Sequence, residues 1–128
     1  MKPTTREWVK KAENDFKVAS QILLRRKNAV PDAACFICQQ CVEKYLKARL
    51  IEAGIPFPRT HDLLQLLNTC LQVEPLWAAY AKVVDTMSDY AVDFRYPGHT
   101  ATLREARTAL KHCRSLRTEV RGALGLRS

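Results

Sequence analysis

The chain has 128 residues, a net charge of +8 and a pI near 9.5, with 47% hydrophobic and 27% charged residues. Length and composition fit one globular domain over residues 1–128 and make a second domain unexpected, and no apolar run approaches the ~20 residues that span a bilayer. The excess of 21 Lys and Arg over 13 Asp and Glu points to an anionic partner such as nucleic acid, a nucleotide or an acidic protein.

The N-terminal stretch MKPTTREWVKKAENDF carries charge throughout and has no apolar signal core, so a cytoplasmic location is expected. Helical spacing then begins at once. A capping box from Thr4 to Glu7 is expected to open the first helix, with Trp8, Ala12, Phe16, Ala19 and Leu23 on its buried side and Arg25, Arg26 and Lys27 in its last turn.

Pro31 and Asp32 suit the start of a second helix that runs to Gly54, a favoured residue just past a helix end. Cys38, Cys41, Tyr45 and Ala48 share one side, with Ile37 and Val42 beside them, and so wide an apolar arc predicts a central helix. Three of the five cysteines (Cys35, Cys38, Cys41) recur every third residue here, while Cys70 and Cys113 stand alone. Zinc sites want a second close ligand pair, so core packing in a reducing compartment is the expectation, with no metal and no cofactor. On the same helix Glu43, Lys44 and Lys47 lie one turn apart, the pattern of an ion-paired surface.

The connector IPFPR is stiffened by Pro56 and Pro58 into an extended form. Thr60 then caps a short leucine-rich helix, with Asp62 near the positive end of its dipole and His61 ordering the turn. Pro75 is expected to open a fourth helix through Phe94, with Leu76, Tyr80, Val83, Met87, Tyr90 and Phe94 inward. A second capping box, Thr102 to Glu105, opens a fifth helix with Leu103, Ala106, Leu110, Cys113, Leu116 or Arg117, Val120 and Leu124 on its buried stripe.

Two charged strips run along the last pair. Asp85, Asp89 and Asp93 are four apart on the fourth helix; Arg104, Arg107, Lys111, Arg114 and Arg121 line the fifth. These are expected to screen each other across the helix pair. No segment has strand periodicity. The predicted fold is therefore all-α, a helical bundle whose last two long helices pair antiparallel.

Between the last two helices stands DFRYPGHT, Asp93 to Thr100. Together with QQCVEKYLKARLIEAGIPFPRTHDL, Gln39 to Leu63, and the amphipathic REWVKKAENDFKVA near the start, it resembles the HEPN family of small helical domains, in the branch carrying QQ..EK.LKA, THDL and RYPG. The resemblance spans nearly the whole chain. It implies an up-and-down helical bundle of four longer helices plus a short extra helix, forming a homodimer engaged in nucleotide- or RNA-related work.

Two readings of function follow from that resemblance. One is a nucleotide- or RNA-binding interaction module that acts with a minimal nucleotidyltransferase partner in a toxin–antitoxin-type system. The other is a metal-independent ribonuclease, in which Arg95 holds the phosphate and His99 acts as base or acid on the ribose 2′-hydroxyl. The Arg95–His99 gap is three residues, Tyr96, Pro97 and Gly98, one short of the family's nuclease spacing. Tyr96 is placed to stack on a base, and Lys44 and Lys47 to add positive potential at the phosphate. Glu43, His61, Asp62 and Asp93 are the supporting residues.

Overall fold

The computed structural model describes residues 1–25, 29–93 and 96–127, except for the side chains of residues 91–93. Five α-helices and one 3-10 segment follow in order: α1 (Pro3–Leu24), α2 (Pro31–Ala53), α3 (Leu63–Cys70), the 3-10 segment (Pro75–Tyr80), α4 (Ala81–Asp93) and α5 (Leu103–Ala123). No strand occurs among the described residues, and no described helix is long and apolar enough to cross a membrane.

The first capping expectation is corrected. α1 begins at Pro3, its N-cap is Lys2, and no side chain caps it. The Glu52 carboxylate on α2 takes the capping role from a distance, accepting from the Lys2 backbone N–H and the Thr5 hydroxyl, each at 2.9 Å. That tie lays the start of α1 against the end of α2, so the two run antiparallel. Ala12 and Ala19 are buried as expected, and Thr5 and Val9 join them. Arg26 and Lys27 of the anticipated basic last turn lie outside the described residues.

α2 is the axis of the bundle. Twelve of its 23 residues are buried, Cys38, Cys41, Tyr45 and Ala48 among them. It ends at Gly54, whose φ of +70° lies in the left-handed region that only glycine occupies without strain. Ile55 N–H closes back on the Leu50 carbonyl at 3.0 Å, the reversal that turns the chain around. Residues 54–62 then run extended back along α2 instead of onward. His61 meets Glu43, which is eleven residues and about 16 Å up the helix from Gly54, well within the reach of an extended nine-residue run.

Asp62 is the N-cap of α3, accepting from Leu64 and Gln65 N–H, while Thr60 supports it by accepting from Asp62 N–H at 3.0 Å. The Leu63 N–H, which that cap leaves open, donates to Ser88 Oγ on α4 at 2.9 Å. Leu63, Leu66, Leu67 and Cys70 enter the core. Arg49 closes the far end of α3 through Nε and Nη2 contacts to Glu74 Oε1 at 3.2 and 3.0 Å.

The fourth predicted helix starts as 3-10, not α, and its register differs accordingly. A 3-10 turn advances about 120° per residue against 100° in an α-helix, so six residues rotate the expected face by roughly a third of a turn. Leu76, expected inward, is 87% exposed, and Trp77 takes its place in the core. Among the described side chains of α4 Val84 and Met87 are fully buried, with Val83 and Tyr90, and Tyr80 from the 3-10 segment, packed at the margin. Phe94 lies outside the described residues.

α5 opens with the expected capping box, Thr102 Oγ1 accepting from Glu105 N–H and Glu105 Oε1 from Thr102 N–H. Asp32 at the start of α2 accepts from Ala101 N–H at 2.5 Å, and Tyr45 near the other end of α2 meets Arg121. α5 is thus parallel to α2. The order up, down, up, down for α1, α2, α4 and α5, with α3 inserted before α4, is the up-and-down bundle that the family resemblance implied, and the last two helices run antiparallel as their spacing predicted.

All five cysteines are buried and unbridged. Burial pushes the Cys35 and Cys70 thiols up to about 12, far from the thiolate range; Cys38 on α2 is raised by its hydrogen bond with Cys113 on α5 and by burial, and Cys113, although that bond lowers it, is raised overall by a hydrogen bond with Cys41 and by burial. They behave as small core residues. Among the described residues no group of three or more His, Cys, Asp or Glu is placed to hold a metal ion.

Candidate functional site

The returning connector and the face of α2 beneath it enclose a groove of about 470 Å³, lined by Trp8, Lys47, Phe57, Arg59, Thr60 and His61. Behind its Lys47 and His61 walls lies a polar network that begins on α2. Gln39, Glu43 and Lys47 are spaced four apart and therefore share one face of the helix. Gln39, Glu43 and Lys47 are all buried, so the ion-paired surface expected for Glu43 and Lys47 is instead an interior. The connector covers it.

Glu43 is the hub. Its Oε2 accepts from Lys47 Nζ at 3.1 Å and its Oε1 sits 2.8 Å from His61 Nδ1. Gln39 holds the same connector from below, its amide donating to the His61 carbonyl at 3.2 Å and, at the long limit of 3.5 Å, to Glu43 Oε1. Gln40 in turn donates to Gln39 Oε1 at 2.7 Å. A carboxylate only 4% exposed is tolerated here because a lysine ammonium and an imidazole both face it.

His61 is fixed on one side and open on the other: Nδ1 faces Glu43, while the ring as a whole is 77% exposed. Lys47 Nζ also lies 5.5 Å from the Trp8 ring centroid, within cation–π range, so it joins the charged network to the aromatic wall. Arg59 is exposed at the rim and is in no ion pair among the described residues. With Lys47 balanced by Glu43, Arg59 supplies the uncompensated positive charge of the groove.

The other sequence candidates lie elsewhere. Lys44 points to α1, where Nζ meets Asp15 Oδ2 at 2.6 Å, so it does not line the groove. Asp62 is spent on the α3 cap. Arg95 lies outside the described residues, as does the side chain of Asp93. Tyr96 and His99 are exposed on the turn before α5 and line no part of the groove. That turn leads into Ala101 beside Asp32, whereas the groove residue His61 meets α2 at Glu43, eleven residues and about 16 Å further along the helix.

Sequence reasoning missed Trp8, Phe57 and Arg59 as groove residues. The signal was present: in an extended segment alternate side chains share a face, and Phe57, Arg59 and His61 are alternate residues of a connector held extended by Pro56 and Pro58. What the sequence lacked was the direction of the connector.

A family model described as HEPN domain matches residues 5–123. Among solved structures, the crystal structure of TT1696 from Thermus thermophilus superposes with a TM-score of 0.79 at 21% sequence identity, covering 92% of this chain and 96% of that one. No curated protein sequence matches. The sequence pieces QQ..EK.LKA and THDL, 22 residues apart between Gln39 and His61, meet in this fold through the Gln39 and Glu43 contacts to His61.

Proposed function

This chain belongs to the HEPN domain family, and from that premise we propose that it is a binding module whose groove takes a nucleotide, free or as part of an RNA. The observation that carries the reading is one groove holding two aromatic walls, Trp8 and Phe57, beside Lys47, Arg59 and the open side of His61. Aromatic faces stack bases of any identity, while an arginine at the rim offers a planar fork to phosphate. The buried Glu43 orients Lys47 and His61 without reaching the ligand itself, a supporting role of the kind carboxylates play behind binding imidazoles.

Titration with a nucleoside, its monophosphate and inorganic phosphate tests this. Trp8 is in the groove and Trp77 is in the core, so quenching of Trp8 fluorescence reports occupancy, with Trp8→Phe as the control. The monophosphate is expected to quench most strongly, and Arg59→Ala to weaken it about 10–100-fold, the equivalent of a charge-assisted hydrogen bond. Absence of quenching by any nucleotide or short RNA, or an unchanged affinity in Arg59→Ala, would sink the proposal.

The family resemblance extends the reading to a homodimer acting with a minimal nucleotidyltransferase in a toxin–antitoxin pair. Co-expression with the product of an adjacent nucleotidyltransferase reading frame, followed by size-exclusion chromatography, checks it. Elution of the two as separate species would remove the partner from the proposal.

A further inference from the structure

Among the described residues the basic strip of α5 does not meet the acidic strip expected to screen it. Arg104, Arg107, Lys111 and Arg114 are all exposed and form no ion pair among the described residues. On a helix of 3.6 residues per turn they fall within an arc of roughly 80°, opposite the stripe of Ala106, Ala109, Cys113, Leu116 and Val120 that enters the core. They face solvent, not α4.

The described acids do not neutralise the strip. Glu13 is bonded to Arg117 and Asp15 to Lys44, while Glu105 caps its own helix. Glu119 lies toward Tyr80, on the α4 side. Asp85 and Asp89 are exposed on α4 and make no ion pair with the strip. Arg121, included in the strip on sequence grounds, instead turns inward to Tyr45 and Glu13.

We propose that this outer face of α5 is a contact for the phosphodiester backbone of a nucleic acid strand, separate from the groove. Its four cations recur every ~4.5–6 Å over about 15 Å of helix axis, a linear array suited to a linear polyanion and not to a single anion. Three of the four are arginines, whose fork matches phosphate oxygens. The exposed Thr118 hydroxyl continues the arc as a further donor to the backbone. Arg114 is also steadied, its guanidinium 5.8 Å from the Phe16 ring centroid on α1. Repulsion among four unneutralised cations costs stability in the free protein, and a polyphosphate strand relieves it.

The salt dependence of binding reads this surface directly, since each phosphate neutralised on a single strand contributes about 0.7 to the slope of log K against log salt. The test is fluorescence anisotropy with a labelled 20-nucleotide single-stranded RNA between 50 and 200 mM KCl, comparing wild type with R104Q/R107Q/K111Q/R114Q. All four positions are exposed, so the variant is expected to fold. Its slope should be shallower by about 3, so that wild type loses about 50-fold more affinity than the variant across that range. Quenching of Trp8 by a mononucleotide should stay unchanged. A variant with wild-type slope and affinity overturns the proposal, and so does equally tight binding of poly-glutamate of matched charge, which would assign the face to acidic protein. Arg59→Ala separates the two surfaces: it should weaken mononucleotide binding and leave most of the RNA salt slope intact.

Discussion

Glu43→Ala is expected to cost about 3–5 kcal/mol of folding stability, a large share of the 5–15 kcal/mol typical of a domain. The reason is what it leaves behind. The Lys47 side chain is 10% exposed and 3.1 Å from the Glu43 carboxylate, so the substitution strands an ammonium with little access to water. It also releases the imidazole of His61 and with it one of the two holds on the connector. The paired change Glu43→Leu with Lys47→Met removes both charges and should recover most of the loss, because a buried pair contributes little net stability over apolar replacements. Urea melts of the two single variants and the double variant test this. A single-variant loss below 1 kcal/mol, or losses that simply add in the double variant, would show that the pair is not buried as described.

The second large effect is expected at Glu13, where α1, α2 and α5 meet. Arg117 donates to both carboxylate oxygens, Nε to Oε2 and Nη2 to Oε1, each at 2.6 Å, and the Tyr45 hydroxyl donates to Oε2. Arg117 also lies over Phe16, 4.7 Å from the ring centroid. Glu13→Gln should cost about 1–2 kcal/mol, since a neutral amide keeps one acceptor and loses the charge-assisted fork at a site still partly open to solvent.

The effect has a definite pH dependence. The Arg117 hydrogen bond, against opposing desolvation, holds the Glu13 carboxyl below its ordinary value of 4.5. A depressed folded-state value means that the stabilisation is fully present above the unfolded value and lost as pH falls through the folded one. The stability gap between wild type and Glu13→Gln should therefore be constant near pH 6–7 and close below about pH 4. A gap that persists unchanged to pH 2 would contradict this ion pair.

Local patterns were legible in the sequence, and long-range ones were not. Thr102 and Glu105 form their capping box because both partners lie within one turn. Thr4 and Glu7 have the same spacing and do not, because Pro3 starts the helix earlier and Glu52, distant in sequence, takes the N-terminal donor. The apolar stripe of the fourth helix failed at Leu76 and Trp77 because spacing does not distinguish an α from a 3-10 opening after Pro75.

The candidate site followed the same division. The four-residue spacing of Gln39, Glu43 and Lys47 put them on one face, yet whether that face meets water depended on a connector that doubles back after Gly54. The acidic and basic strips were both readable, but their mutual screening required a rotation of α5 that the core residues Ala109 and Leu116 forbid. Ala109 was absent from the predicted stripe. Small residues contribute little to an apolar pattern even when they set how closely two helices approach.

The parallel run of α2 and α5 bears on the order in which the chain assembles. α1 and α2 are neighbours in sequence and close on each other at low entropic cost, whereas the Asp32 contact to Ala101 closes a loop of 69 residues and the Glu13 contact to Arg117 one of 104. Contacts of such span are expected to form after the rate-limiting barrier. In a chevron, Glu13→Gln should then raise the unfolding limb and leave the folding limb nearly where it was, with slower folding the contrary result. The clamp that holds the last helix would govern how long the native state persists, not how fast it is reached.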